Sequence, residues 1–150
     1  MSERGKDQQV RAMTRAEREA FLAEPHIAVV SVTGEAGRGP LSVPLWYGYT
    51  PGGDITLITA LDSRKAALVR RHGRLSLCVQ RTEPPRTYVS VEGPVVEFRA
   101  PATLDERRSL AHRYLGAAAG DAFVEASAGR TARSVLIRVR PEHWISRGAS

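Results

Sequence analysis

From Ile27 the polarity of the chain alternates with a period of two: Ile27, Val29 and Ser31 fall on one side, Ala28, Val30 and Val32 on the other. That period predicts a first strand, and its almost wholly apolar character predicts burial on both faces. Leu41, Val43, Leu45, Tyr47 and Tyr49 next share one face of a long second strand, opposite Ser42, Pro44, Trp46 and Gly48. Pro44 cannot donate to a ladder, so it marks an edge or a bulge. The turn "TPGGD" (50–54) closes a hairpin onto a third strand, 55–59, and 75–79 reads as a fourth. In the fifth strand Val89 and Val91 share one face, but past Gly93 and Pro94 it is Val96 and Phe98 that alternate with Glu97. One extra residue at Gly93–Pro94, a β-bulge, produces that change of phase. Val135, Ile137 and Val139 form a sixth strand.

Helical signals punctuate the strands. Thr14 and Glu17 have the spacing of a capping box and predict a helix to about Leu22, ahead of Pro25. Ser63 to about His72 reads as a short helix stopped by Gly73. Thr103 caps a third helix through about Leu115, with Leu104, Leu110, Ala111 and Leu115 at helical spacing and Asp105, Glu106, Arg107 and Arg108 as a solvated face. "GAAAGDAFVEASAG" adds a shorter helical piece. The expected fold is mainly β with peripheral helices: a six-stranded antiparallel barrel in one domain over 13–147, behind a flexible start at 1–12.

Composition narrows the partners. A net charge of +6 calls for an anionic partner without choosing among nucleic acid, membrane surface and phosphorylated small molecule. Arginine supplies nearly all the positive charge, and Lys6 and Lys65 are the only lysines. The basic residues are spread and no nucleic-acid reader motif accompanies them, so nucleic acid is not an expected partner. No apolar run reaches the length of a membrane span, and none near the start resembles a signal peptide. The single cysteine, Cys78, excludes an intramolecular disulfide and suits a reducing cytoplasm. His26, His72, His112 and His143 lack metal-ligand spacing, and no metal site is expected. Serine-hydrolase, P-loop and Rossmann fingerprints are all missing.

One local oddity carries chemistry. Arg64 and Lys65 fall in the first turn of the 63–72 helix, where the macrodipole opposes cations by about 0.3–1 kcal/mol each. A phosphate at this helix start reconciles the backbone N–H groups, the Thr59 and Ser63 hydroxyls and the two cations. The plain alternative is that Asp62 offsets part of the cost and both side chains extend into water. Trp46 is equally open: it suits barrel packing or the wall of a planar-ligand cleft.

The run "GPLSVPLWYGYTPGGDITLITALDSRKAALVRRHGRLSLCVQ", with "YVSVEGPVVEF" after it, resembles the split β-barrel flavin-binding family that includes pyridoxamine 5′-phosphate oxidase. It looks closest to the short actinobacterial branch of flavin- and deazaflavin-dependent oxidoreductases. The likeness runs over about 14–100, and "RVRPEHW" resembles the family's last strand and the segment beyond it. It implies a homodimer with FMN or the deazaflavin F420 in a groove at the interface, exchanging hydride with a small organic substrate. Carried over residue by residue, Ser63, Arg64 and Lys65 bind the phosphate, Thr59 and Ala60 lie along the ring or ribityl chain, and Val43 and Pro44 offer backbone to the ring. Arg86 and Tyr88 are expected from the second subunit. His143 and Arg147 do not match the oxidase pattern for pyridoxal phosphate, which argues against that substrate. The resemblance also admits a non-catalytic carrier of FMN, F420 or haem. It names no catalytic side chain.

Overall fold

In the computed structural model, residues 11–148 are described. Helix α1 (Arg15–Ala23) leads into β1 (Ala28–Val32), β2 (Leu41–Leu45), β3 (Gly48–Tyr49) and β4 (Ile55–Ala60); α2 (Arg64–His72) then precedes β5 (Arg74–Arg81) and β6 (Thr87–Arg99). Helices α3 (Leu104–Leu115) and α4 (Ala117–Ala126) and a 3-10 segment (Ala128–Arg133) lie before β7 (Ser134–Val139) and β8 (His143–Arg147). All strand pairs are antiparallel, in the order β2-β1-β5-β6-β7-β4-β3, with β8 added on β6. The long β6 is the spine: its first half pairs with β5 and β8, its second half with β7.

The sheet has eight strands where the periodicity predicts six, for two reasons. The second strand breaks at Trp46–Tyr47, so that Gly48 and Tyr49 pair with β4 and not with β1. The chain also turns after Val139 and returns as β8 along Tyr88–Glu92. Gly93 sits at that return, where any Cβ would collide with the Arg140 carbonyl. The phase change lies two residues beyond the expected place, between Val95 and Glu97. Gly93 is therefore a close-approach glycine and not the bulge.

The core is a single apolar cluster that takes in Leu22, Val30, Tyr47, Ile55, Leu57, Leu77, Val89 and Ile137. Strand β1 buries only one face of its alternation: Ala28, Val30 and Val32 point inward, while Val29 is 43% exposed, against the expectation of double burial. Pairing aligns Val29 with Pro44 and Cys78, Cys78 with Ser90, and Ser90 with Ile145, which is 63% exposed. One outer face of the sheet thus carries a row of small and apolar residues. Residues 1–10 of the expected flexible start lie outside the described residues, and Arg11 bridges Gly148.

Helix ends obey the capping chemistry. Thr14 with Glu17, and Thr103 with Glu106, complete capping boxes. Gly73 ends α2 in the left-handed region at φ 67°. The expected apolar stripe of α3 is displaced: Leu104 and Leu115 are exposed, and the helix buries Ala111 and Arg107.

Candidate functional site

Two of the strand edges without a partner strand, those of β2 and β4, border the site. β2 ends the sheet order, and β4 pairs with β3 only through Ile55 and Thr56, so from Leu57 to Ala60 one side of its backbone has no strand neighbour. Both edges line one cavity of about 680 Å³: Pro44, Leu45 and Trp46 from the end of β2, and Ile58, Thr59 and Ala60 from β4. Ile27, Leu110 and Phe123 add apolar walls, and Asp62, Arg107, Arg130, Arg133 and Ser134 complete it. Free backbone N–H and C=O groups beside an apolar slot suit a flat ring with polar edges.

The bend that opens this slot is held from α1 and α3. The Tyr47 amide donates to the Tyr114 hydroxyl (3.0 Å), which donates to the His26 carbonyl (2.6 Å). The Tyr47 hydroxyl donates to the Leu22 carbonyl (2.7 Å), and burial pushes its ionisation well above the ordinary tyrosine range, the neighbouring Tyr114 adding to the shift. Arg113 donates to the carbonyls of Ala23 (2.7 Å) and Glu24 (2.9 Å), closing the end of α1. Trp46 stacks on Tyr114 with centroids 4.9 Å apart and planes 7° apart. Trp46 is thus packed against Tyr114 and also lines the cavity.

The slot leads from Ala60 and Asp62 to the start of α2. The Ser63 hydroxyl accepts from the Ala66 amide (3.2 Å) and donates to the Ala60 carbonyl (2.6 Å), so its own capacity is spent on the cap. As first and second residues of the helix, Arg64 and Lys65 have amides with no intrahelical acceptor. The Arg64 guanidinium meets Glu35 at 3.2 Å, from the β1–β2 turn. Lys65 is half-buried and has no carboxylate within ion-pair distance among the described residues.

Of the expected residues, Pro44, Thr59 and Ala60 come together in the cavity, with Ser63, Arg64 and Lys65 one turn further along the chain. Val43 precedes Pro44 but faces inward opposite Val30. Arg86 and Tyr88 do not line the cavity; the Arg86 guanidinium lies over the Tyr88 ring at 5.7 Å. Tyr88 is in register with Gln80 and Arg147, two residues along from Ser90, and so shares the outer face that carries Val29 and Ile145. Pro44 belongs to that face and also lines the cavity, as does Ile27, which is 52% exposed. The cavity thus opens at the border of the apolar face.

Arg107 corrects the reading of 105–108 as solvated. It is 9% exposed, and its guanidinium donates to Thr131 Oγ1 (2.7 Å), Ser127 Oγ (2.8 Å) and the Ser127 carbonyl (3.2 Å). Glu106, beside it, accepts from Arg99 at 2.7 Å. Arg130, Arg133 and Phe123 of the lining carry no local motif. Their only sequence signal is arginine and aromatic residues recurring around a helical piece.

This antiparallel sheet, open along β2 and the end of β4, is a split β-barrel. The family model for pyridoxamine 5′-phosphate oxidase matches residues 14–148, and the chain belongs to that family. No curated protein sequence matches it. Among solved structures it is similar to a protein named F420 reductase, at 20% identity and TM-score 0.68 over 85% of this chain and 94% of that one. A conserved hypothetical protein from Mycobacterium tuberculosis aligns at 22% identity and TM-score 0.70, over 89% of this chain and 84% of that one. An FAD-binding protein from Mesorhizobium loti aligns at 20% identity and TM-score 0.62, over 95% and 98%. At these identities the likeness speaks to the fold.

Proposed function

We propose that this chain is a homodimeric oxidoreductase that uses a flavin or the deazaflavin F420 to transfer hydride to or from a small organic substrate. The observation that carries the reading is the slot between the open edges of β2 and β4, whose lining runs to Asp62, just ahead of the helix start that bears Arg64 and Lys65. Its residues fit such a cofactor. Backbone at Pro44 and Thr59 suits the polar edge of a ring, and the Arg64 and Lys65 amides with their side chains suit a phosphate. The cofactor, when bound, supplies the redox chemistry. The chain's part is to hold the ring against Thr59 and Ala60, to exclude water with Ile27, Trp46 and Ile58, and to anchor the phosphate. Between the two cofactors we favour F420, whose phosphate and glutamate tail suit a basic chain.

The apolar outer face supports the dimer. A second copy laid on Val29, Cys78 and Ile145 covers exposed apolar surface, roofs the cavity along Ile27 and Pro44, and brings its own Arg86 and Tyr88 to that border. A cytoplasmic setting goes with this reading.

Titration with FMN and with F420, monitored by tryptophan fluorescence, tests it. One of them quenches Trp46 saturably, with one site per chain, and Trp46→Phe removes the signal that Trp144 cannot supply. Binding of neither overturns the proposal. Binding without turnover of enones or nitro compounds favours a carrier.

A further inference from the structure

Some arginines find carboxylates, as Arg99 does with Glu97 and Glu106 and Arg108 with Asp105 and Asp121, while others, such as Arg70 and Arg71, form no ion pair among the described residues. The cavity wall gathers three of the second kind. It holds three guanidinium residues, Arg107, Arg130 and Arg133, against one carboxylate, Asp62. Among the described residues none of these four forms an ion pair. Three positive charges less one negative leave two in excess, in an opening walled by Ile27, Leu45, Ile58 and Leu110. Arg107 is buried, while Arg130 and Arg133 line the opening from exposed positions.

Arg107 is itself held by neutral oxygens of Ser127 and Thr131, and so ties the start of the 3-10 segment to α3. That tie sets where Arg130 and Arg133 stand. Burial, and after it the charge of Arg130, lower the proton affinity of Arg107. On the same wall Trp46 lies flat on Tyr114 and tilts against Phe123 at 5.3 Å, giving an aromatic surface next to the arginines.

We propose that Arg130 and Arg133 form a carboxylate subsite, positioned by Arg107, and that the substrate is a flat, unsaturated organic acid whose body lies along Trp46 and Phe123. The proposal rests on the oxidoreductase reading for the reaction, but the binding site stands on the geometry of the wall. The phosphate end is its neighbour: the Leu61 amide donates to the Arg133 carbonyl (2.8 Å), and Arg64 and Lys65 follow at the start of α2.

Calorimetric titration with 2-naphthoate and its neutral isostere 2-naphthamide provides the test, on the protein as purified and again after loading with FMN. Charge-assisted hydrogen bonds predict about tenfold or greater preference for the naphthoate. In Arg130→Gln/Arg133→Gln, two exposed positions, the preference for naphthoate over naphthamide disappears, with or without FMN loaded. Arg107→Lys loses the same preference because a compact ammonium lacks the planar fork that reaches Ser127 and Thr131 together; if it fails to fold, the double variant carries the test. Equal binding of acid and amide, or a preference that survives the double variant, overturns the subsite. A double variant that loses F420 affinity but keeps the naphthoate preference places the anion on the cofactor's glutamate tail and overturns the substrate assignment. Naphthoate preference without binding of either cofactor leaves the subsite standing and removes the oxidoreductase reading.

Discussion

The starts of α2 and α3 are built from the same device and finished differently. Each opens on a hydroxyl, Ser63 or Thr103, that accepts from an amide three residues on. α3 then closes itself: Glu106 accepts from the Thr103 amide (2.8 Å) and from Arg99, and Asp105 adds a second acidic residue at the positive end of the dipole. α2 cannot be closed that way, because its third residue is Ala66, fully buried against the core where a glutamate has no room. Packing explains the missing carboxylate, but it does not explain cations at the first two positions. α3 is electrostatically complete within the chain, whereas at α2 Glu35 meets Arg64 and Lys65 has no carboxylate partner among the described residues.

The largest effect stems from that incompleteness. Arg64→Ala/Lys65→Ala lowers cofactor affinity on the order of a hundredfold, from two charge-assisted contacts. Equilibrium titration measures it, and an unchanged affinity removes α2 from the site. Next in size come the caps. Thr103→Ala and Ser63→Ala each cost about 1 kcal/mol of stability in urea denaturation. Only the second also weakens the cofactor, because it loosens the turn that presents the Arg64 and Lys65 amides. Equal effects on binding make the two helix starts equivalent and refute the contrast.

Much of this contrast is legible from residue types. Thr14 with Glu17, Thr103, Ser63 and Gly73 are local signals, and each sits where its backbone requirement predicts. What escapes is set by contacts distant in sequence. Arg107 looks like one more polar residue on an arginine-rich chain, since its partners Ser127 and Thr131 come twenty and more residues later. The bulge is misplaced because Gly93 and Pro94 have no side-chain polarity to fix the phase. Arg86 and Tyr88 meet the cavity in no single copy, so their place is legible only if a second copy is assumed.

A smaller effect separates site from fold by sign. Without cofactor, Lys65→Ala gains about 0.3–1 kcal/mol, because it removes a cation from the positive end of α2. The same substitution lowers the thermal shift that the cofactor produces. Arg71→Ala differs on both counts: it sits in the last turn of α2, where a cation is favourable, so stability falls slightly, and cofactor affinity changes less than about twofold. Matching responses from Lys65 and Arg71 point to overall basicity as the source of affinity.

Acid tests the contrast without mutation. Hydrogen bonds from the Arg11 side chain and from the Thr14 amide hold Glu17 down to about 2. Burial raises Glu106, but the Arg99 and Thr103 hydrogen bonds outweigh it and the net shift is downward. A carboxylate depressed in the folded state contributes stability that is present above its unfolded value, about 4.3, and is lost as pH falls through the folded value. Acidification below about pH 4 therefore weakens the starts of α1 and α3, while α2, capped by the Ser63 hydroxyl alone, keeps its cap. Amide exchange near Glu17 and Glu106 accelerates along that descent and exchange near Ala66 does not. Equal acceleration at all three positions means that α2 is held by a titrating group as well, and the distinction between a closed and an open helix start fails.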